Sequence, residues 1–216
     1  MKQLEHISAS VQEGNIRKTE DLIAQALRED YQPADILRKG VAAGMIETEK
    51  RFLKNEILDS EILIAGWAMK AALHILMPLL QKEQGPFLGT VVTGTLEGDI
   101  LETGKDILSC LMQSQGLKVA DLGTSVSNIR FVEAAIEERA DIIACTTAIT
   151  VFMPQMKHLV QAASQADIRG KTKVLLSGGP VTEWFCKSVE ADMYAPDPFR
   201  AAEIAADYCR KAGGRQ

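Results

Sequence analysis

The sequence predicts a four-helix bundle over residues 1–84 and, after a short linker at 85–87, an α/β domain with a doubly wound, five-stranded parallel sheet over 88–216. Three observations carry this. Residues 1–83 place apolar side chains at helical spacing and contain no convincing strand. From Leu88 onward, apolar runs of strand length alternate with helical stretches. Between them the polar stretch Gln81-Lys82-Glu83-Gln84-Gly85-Pro86 ends in Gly-Pro, a turn-forming pair. Regular β/α alternation requires crossover connections, and these make the strands parallel.

In the first part, Leu4, Ile7 and Val11 share one helical face, as do Leu22, Ile23, Ala26 and Leu27. Pro33 suits a first helical position, where its missing N–H costs nothing. Ile36, Leu37, Gly40, Val41, Gly44 and Met45 then form a stripe in which the two glycines permit a close helix crossing. A loop is expected near Lys54-Asn55-Glu56. Asp59 or Ser60 caps a long helix carrying Ile62, Leu63, Ala65, Met69, Leu73, Leu76 and Leu80. Pro78, inside that pattern, predicts a kink or an early end.

In the second part, strands are expected at 88–93, 118–122, 141–146, 173–177 and 193–195. Helices are expected at 102–115, 128–138, 152–166, 182–189 and 198–211. The first strand-to-helix turn carries Gly94, Gly98 and Gly104, and glycine lets backbone approach a ligand closely. Turns at the carboxyl ends of strands are where open α/β sheets bind ligands. This one is not a dinucleotide fingerprint, because GxGxxG spacing is absent. It is not a phosphate-binding P-loop, because Gly104-Lys105 is followed by Asp106. The clustered acids of a response-regulator receiver are missing as well.

Composition narrows the function classes. A net charge of −5 with no basic cluster, and few aromatic side chains for base stacking, argue against nucleic acid. Cys110, Cys145, Cys186 and Cys209 are scattered in apolar patterns, so reduced structural thiols are expected. The amino terminus lacks the apolar core of a signal peptide, and no uninterrupted apolar run is read as long enough to span a bilayer. A cytoplasmic protein with no membrane partner is expected.

Gly98-Asp99-Ile100-Leu101-Glu102-Thr103-Gly104 resembles the corrinoid-binding loop, G-D-x-H-D-x-G, of the methyltransferase corrinoid proteins and of cobalamin-dependent methionine synthase. Asp99 and Gly104 match, Glu102 replaces aspartate, and Leu101 stands in the histidine position. Asp121-Leu122-Gly123 resembles the family's D-L-G. Cys145-Thr146-Thr147-Ala148-Ile149-Thr150 resembles its S-x-L-x-T segment, with Thr146 at the serine and Thr150 at the threonine. Gly178-Gly179-Pro180-Val181-Thr182 is similar to G-G-A-P-V-T with one residue fewer, and Asp192-Met193-Tyr194-Ala195-Pro196-Asp197 to A-D-G-Y-A-x-D. In the helical part, residues 45–56 and 61–70 resemble M-x-x-x-G-x-x-F-x-x-G-E and P-E-x-L-x-A-x-x-A-M. Glu49 and Asn55 stand there in glycine positions and Ser60 in that of the proline.

The resemblance implies a flavodoxin-like strand order 2-1-3-4-5 and a helical cap near the upper face of a corrinoid, with Trp67 and Met69 as candidate cap residues. The implied cofactor is cobalamin, bound base-off with its nucleotide tail in a slot between strand ends and helices. The residues implied to bind it are Asp99, Leu101, Glu102, Gly104, Thr146, Thr150, Gly178, Gly179 and Tyr194. Gly178 and Gly179 would let backbone pass the tail, and Thr146 and Thr150 offer hydroxyls that donate and accept. The implied partners are a methyl-donor-specific methyltransferase and a second methyltransferase that passes the methyl group to tetrahydrofolate or a thiol.

In the family, the loop histidine ligates cobalt and the aspartate before it holds the other ring nitrogen, which tunes the metal. Leucine cannot coordinate. His74 and His158 lie in helical patterns elsewhere, and His6 is near the terminus, so no replacement ligand is evident. The reading taken is a methyl carrier that binds cobalamin without a protein ligand below the metal. The alternatives are a sensing paralogue that holds a corrinoid without turning it over, and a member that has lost it.

Overall fold

A computed structural model describes residues 2–82 and 87–213. The expected linker falls mostly outside the described residues, since only Phe87 of 85–87 is among them. The chain divides into two compact units, 1–84 and 85–216.

The first unit is helical. Helix α1 (Lys2–Gln12) is followed by α2 (Ile16–Arg28), which Asn15 caps by accepting a hydrogen bond from the Lys18 N–H at 3.1 Å. From Pro33 the chain stays helical through α3 (Pro33–Asp35), a π-helical stretch (Ile36–Ala42) and α4 (Ala43–Leu53). With α5 (Asp59–Lys82) this makes four continuous helical runs. The close crossing predicted at Gly40 and Gly44 is made with α1. A Cβ on Gly40 would lie 3.0 Å from Ile7 Cγ2, and one on Gly44 2.6 Å from the Ser8 carbonyl oxygen.

Helix α5 does not end at Pro78 but continues to Lys82. By length and mean hydropathy, 1.6 over Ser60–Leu80, it could cross a membrane, although Glu61, Lys70 and His74 interrupt the apolar run. Its Ile62, Ala65, Met69, Ala72 and Leu76 are buried where the helix packs on α1, α2 and α4, while Leu63, Ile64 and Trp67 are exposed.

The second unit is a five-stranded parallel sheet in the order β2-β1-β3-β4-β5, as the resemblance implies. Its strands are β1 (Thr90–Gly94), β2 (Lys118–Asp121), β3 (Ile142–Thr146), β4 (Lys173–Ser177) and β5 (Met193–Ala195). Helices α6 (Thr103–Ser114) and α10 (Pro198–Gly213) cover one face. Helices α7 (Asn128–Glu137) and α8 (Met153–Gln165) cover the other, with the short α9 (Glu183–Ser188) beside β5.

Side chains alternate between faces along each strand. Val92, Ile143, Cys145, Val174 and Leu176 therefore meet Phe131, Met156, Leu159 and Val160 in an apolar core under α7 and α8. All four cysteines are buried thiols outside any disulfide. Burial pushes the Cys110 and Cys209 thiols up to about 12, so they stay protonated.

Phe131 is fully buried at the centre of that core. Phe131→Ala is expected to cost about 3–5 kcal/mol in urea unfolding; an unchanged midpoint and slope would contradict its placement.

Candidate functional site at the strand ends

Beyond β1 the chain does not run straight into α6. Thr95 is held by the neighbouring β2–α7 loop: its N–H donates to the Gly123 carbonyl at 3.0 Å and its carbonyl accepts from the Val126 N–H at 3.0 Å. The Thr95 hydroxyl donates to the Asp99 carbonyl at 2.5 Å and accepts from the Ser125 N–H at 2.8 Å. Gly98 turns the loop with φ +85°, a left-handed value that suits glycine. Residues 95–99 thus form a closed turn latched to 123–126.

Asp99 carries this turn to the centre of the sheet. Its side chain is buried; Oδ1 accepts from the Leu101 N–H at 2.9 Å and Oδ2 from the Thr147 hydroxyl at 3.2 Å. Burial raises the Asp99 pKa, and those two hydrogen bonds oppose the rise without cancelling it. Thr147, just past β3, also accepts from the Ile149 N–H at 3.2 Å. Its carbonyl lies against Gly178 at the end of β4, where φ is +120° and a Cβ would come within 1.9 Å of that oxygen. One hydroxyl therefore ties together the loops after β1 and β3, and the backbone it belongs to touches the loop after β4.

Below this junction, Lys105 lies in the first turn of α6 with its side chain 3 % exposed. It reaches Asp106 at 2.7 Å and Asp121, at the end of β2, at 2.5 Å. Burial pulls its pKa down, but the two carboxylates outweigh that, and the net direction is up. The ammonium stays charged and fixes the start of α6 to the sheet.

The register puts Thr93, Ala144, Thr146 and Ser177 on the face covered by α6 and α10. Thr93 and Ser177 are fully buried and Ser109, on the same helical face as Lys105, Leu108 and Met112, is 7 % exposed. Among the described residues, the hydroxyls of Thr93, Ser109 and Ser177 are buried without a hydrogen-bond partner. On α10, which packs against α6 and β4, the small side chains of Ala201, Ala202, Ala205 and Ala206 are buried. A cavity of about 600 Å³ lined by Ile136, Arg139, Asp141 and Lys171 lies at the opposite, amino end of the strands, away from these loops.

The structure brings together Asp99, Leu101, Glu102 and Gly104 in one loop, with Leu101 half-buried and Gly104 in the first turn of α6. Thr146 and Gly178 are buried at the neighbouring strand ends, while Thr150 and Gly179 are exposed there. Tyr194 is not brought to the α6/α10 face. It pairs with Leu176 and packs against the core under α7 and α8. Of the candidate cap residues, Trp67 is 59 % exposed and Met69 is a core side chain of the bundle at 1 %. Among the described residues, no group of three or more His, Cys, Asp or Glu could hold a metal ion, and His74 and His158 are exposed. Thr147 and Lys105 were not anticipated. A lysine on the apolar stripe of α6 was the available signal for Lys105, and nothing in the sequence separates Thr147 from Thr146.

Residues 89–203 match a family described as B12 binding domain, and residues 3–77 match a second family with that description. The fold is thus that of a B12-binding protein. The trimethylamine corrinoid protein 1 of Methanosarcina mazei is 35 % identical over 176 residues, covering 81 % of this chain and 82 % of that protein. The dimethylamine corrinoid protein of Methanosarcina barkeri is 32 % identical over 184 residues, covering 85 % and 86 %. The structure of the Methanosarcina barkeri monomethylamine corrinoid protein matches with a TM-score of 0.81 at 27 % identity, over 93 % of this chain and 95 % of that one. The chain belongs to the methyltransferase corrinoid protein family.

The residues present fit a corrinoid. A polar group entering between α6, α10 and the sheet would meet the three unpartnered hydroxyls, each of which costs about 1–3 kcal/mol while unsatisfied.

Two outcomes test this geometry. Gly178→Ala combines a left-handed φ with a clash against backbone, and is expected to cost about 3 kcal/mol or more in thermal unfolding; a neutral substitution would contradict the contact with Thr147. Because the pKa of Asp99 is raised, the folded chain holds its proton more tightly than the unfolded chain. Stability from this group is present at low pH and lost as pH rises through the raised value. Asp99→Asn should therefore flatten the decline in urea stability as pH rises above the ordinary aspartate range; a decline as steep as in the wild type would contradict the burial penalty.

Proposed function

We propose that this chain is a corrinoid-binding methyl carrier that binds cobalamin base-off with no histidine ligand below the metal. Residues 88–216 are the proposed corrinoid-binding domain and 1–84 the proposed cap domain. Bound there, the corrinoid would supply a cobalt that accepts a methyl group from one protein and yields it to another. The partners proposed are a methyltransferase specific for the methyl donor and a second one serving tetrahydrofolate or a thiol.

The observation that carries the missing-ligand reading is the engagement of Asp99. Each of its carboxylate oxygens accepts a hydrogen bond within the protein, one from the Leu101 N–H and one from the Thr147 hydroxyl. Asp99 therefore shapes the loop directly instead of acting through an imidazole. Leu101 has no lone pair to offer, and no other side chain of the loop between Asp99 and Gly104 except that of Glu102 has a ligand atom of the usual kinds. The loop gives the lower face of the ring an apolar side chain and a fixed backbone. Gly178 keeps the β4 end clear of side-chain bulk beside it. Thr146, buried one position before Thr147, offers a hydroxyl at the top of the α6/α10 face.

Purified protein mixed with hydroxocobalamin and desalted is expected to stay coloured, with a base-off spectrum; colourless protein would overturn the reading. Leu101→His is expected to shift the cobalt absorption bands, and an unchanged spectrum would mean that residue 101 is not beneath the metal. Retained corrinoid that never exchanges a methyl group with a partner and donor would favour a sensor over a carrier.

A further inference from the structure

We infer that the α6/α10 face of the sheet selects corrinoids whose lower base carries a hydrogen-bonding edge, such as a purine, over those ending in dimethylbenzimidazole, through Thr93, Ser109 and Ser177. The inference rests on the corrinoid reading above and concerns which corrinoid is taken.

The three hydroxyls are buried, unpartnered and on one side of the sheet or facing it from α6. Thr93 on β1 and Ser177 on β4 are separated by β3 alone, and Ser177 lies two residues further along its strand, so they stand about 12 Å apart at the usual strand spacing and rise. That is the scale of a fused two-ring base with its attachment. Each hydroxyl can both donate and accept. The walls around them are mostly small, with Ala144 on β3 and Ala201, Ala202, Ala205 and Ala206 on α10, and Leu175 on β4 is the larger apolar side chain between them. A flat ring that parted α10 from this face would meet polar atoms at its edge.

Dimethylbenzimidazole released from cobalt has one free ring nitrogen and presents two methyl groups on its far edge. It can satisfy one of the three hydroxyls, and its methyl groups would bury the others unpaired. Adenine as lower base has several ring nitrogens and an exocyclic amine, which can pair with all three. An unpaired buried hydroxyl is unfavourable enough that two more pairs amount to about tenfold to hundredfold in affinity.

The test is a binding titration of the full chain with three probes: hydroxocobalamin, its adenine-base counterpart, and cobinamide, which lacks the nucleotide tail. The expected order is the adenine form tightest, cobalamin about tenfold or more weaker, and cobinamide weakest. The variants Thr93→Val, Ser109→Ala and Ser177→Ala remove the hydroxyls. They are expected to melt no lower than wild type, since each removes an unsatisfied group, and together to abolish the preference for adenine. Equal binding of the two tailed corrinoids would overturn the inference while leaving the corrinoid reading intact. Cobinamide binding as tightly as either would overturn it too. Failure of all three probes to bind would instead overturn the corrinoid reading. Should the triple variant not fold, the wild-type comparison decides alone.

Discussion

A carboxylate buried at the junction of three loops is the constraint on which the site depends. Asp99 leaves water for a position where its charge is disfavoured, and it is kept there by the Leu101 N–H and the Thr147 hydroxyl. Without it, the loop after β1 would lose its tie to the loop after β3. Thr147 in turn lies so close to Gly178 that a side chain there has no room. The geometry of the upper rim is thus held by contacts within the protein. In a corrinoid protein with a histidine ligand, an aspartate in this position acts on the metal through a ring. Here it acts on backbone, and the apolar Leu101 is carried along.

The two faces of the sheet do different work. Under α7 and α8 the packing is apolar and closed around Phe131. Under α6 and α10 it is lined by alanines, with hydroxyls left unpaired and the Lys105 ammonium held between Asp106 and Asp121. A core built only for stability would not bury three unsatisfied hydroxyls, because replacing them with apolar side chains of similar size would be neutral or favourable. The ion pair holds the start of α6 against the end of β2. Breaking it by removing one partner would strand a charge, which is why such pairs persist once formed.

Much of this architecture was legible from the chain. Runs such as Val91-Val92 and Ile142-Ile143 are buried on both sides, so they read as continuous apolar strands, and the helices between them force the parallel order. Gly40 and Gly44 announced a close crossing because their spacing puts both on one helical face. The loop from Gly98 to Gly104 was legible as a ligand turn from its glycines and as a corrinoid loop from its motif. What stayed hidden depends on register. Thr146 and Thr147 are adjacent and chemically alike, yet the pleat sends one to the α6/α10 face and leaves the other at the loop junction. Tyr194 sits one residue before Ala195, and that single step places it on the α7/α8 side. The unpaired row of Thr93, Ser109 and Ser177 comes from two strands and a helix far apart in sequence, so no local pattern marks it. The helical continuity from Pro33 to Leu53 and the passage of α5 through Pro78 are decided by packing that local propensity does not describe.

The central claim is that nothing in this protein donates a nitrogen to cobalt from below. Electron paramagnetic resonance of the cobalamin-loaded protein, reduced to the cobalt(II) state, tests it most directly. The account predicts cobalt hyperfine lines without nitrogen splitting, because both the tail base and any imidazole are away from the metal. Lines split by a coordinated nitrogen would contradict it.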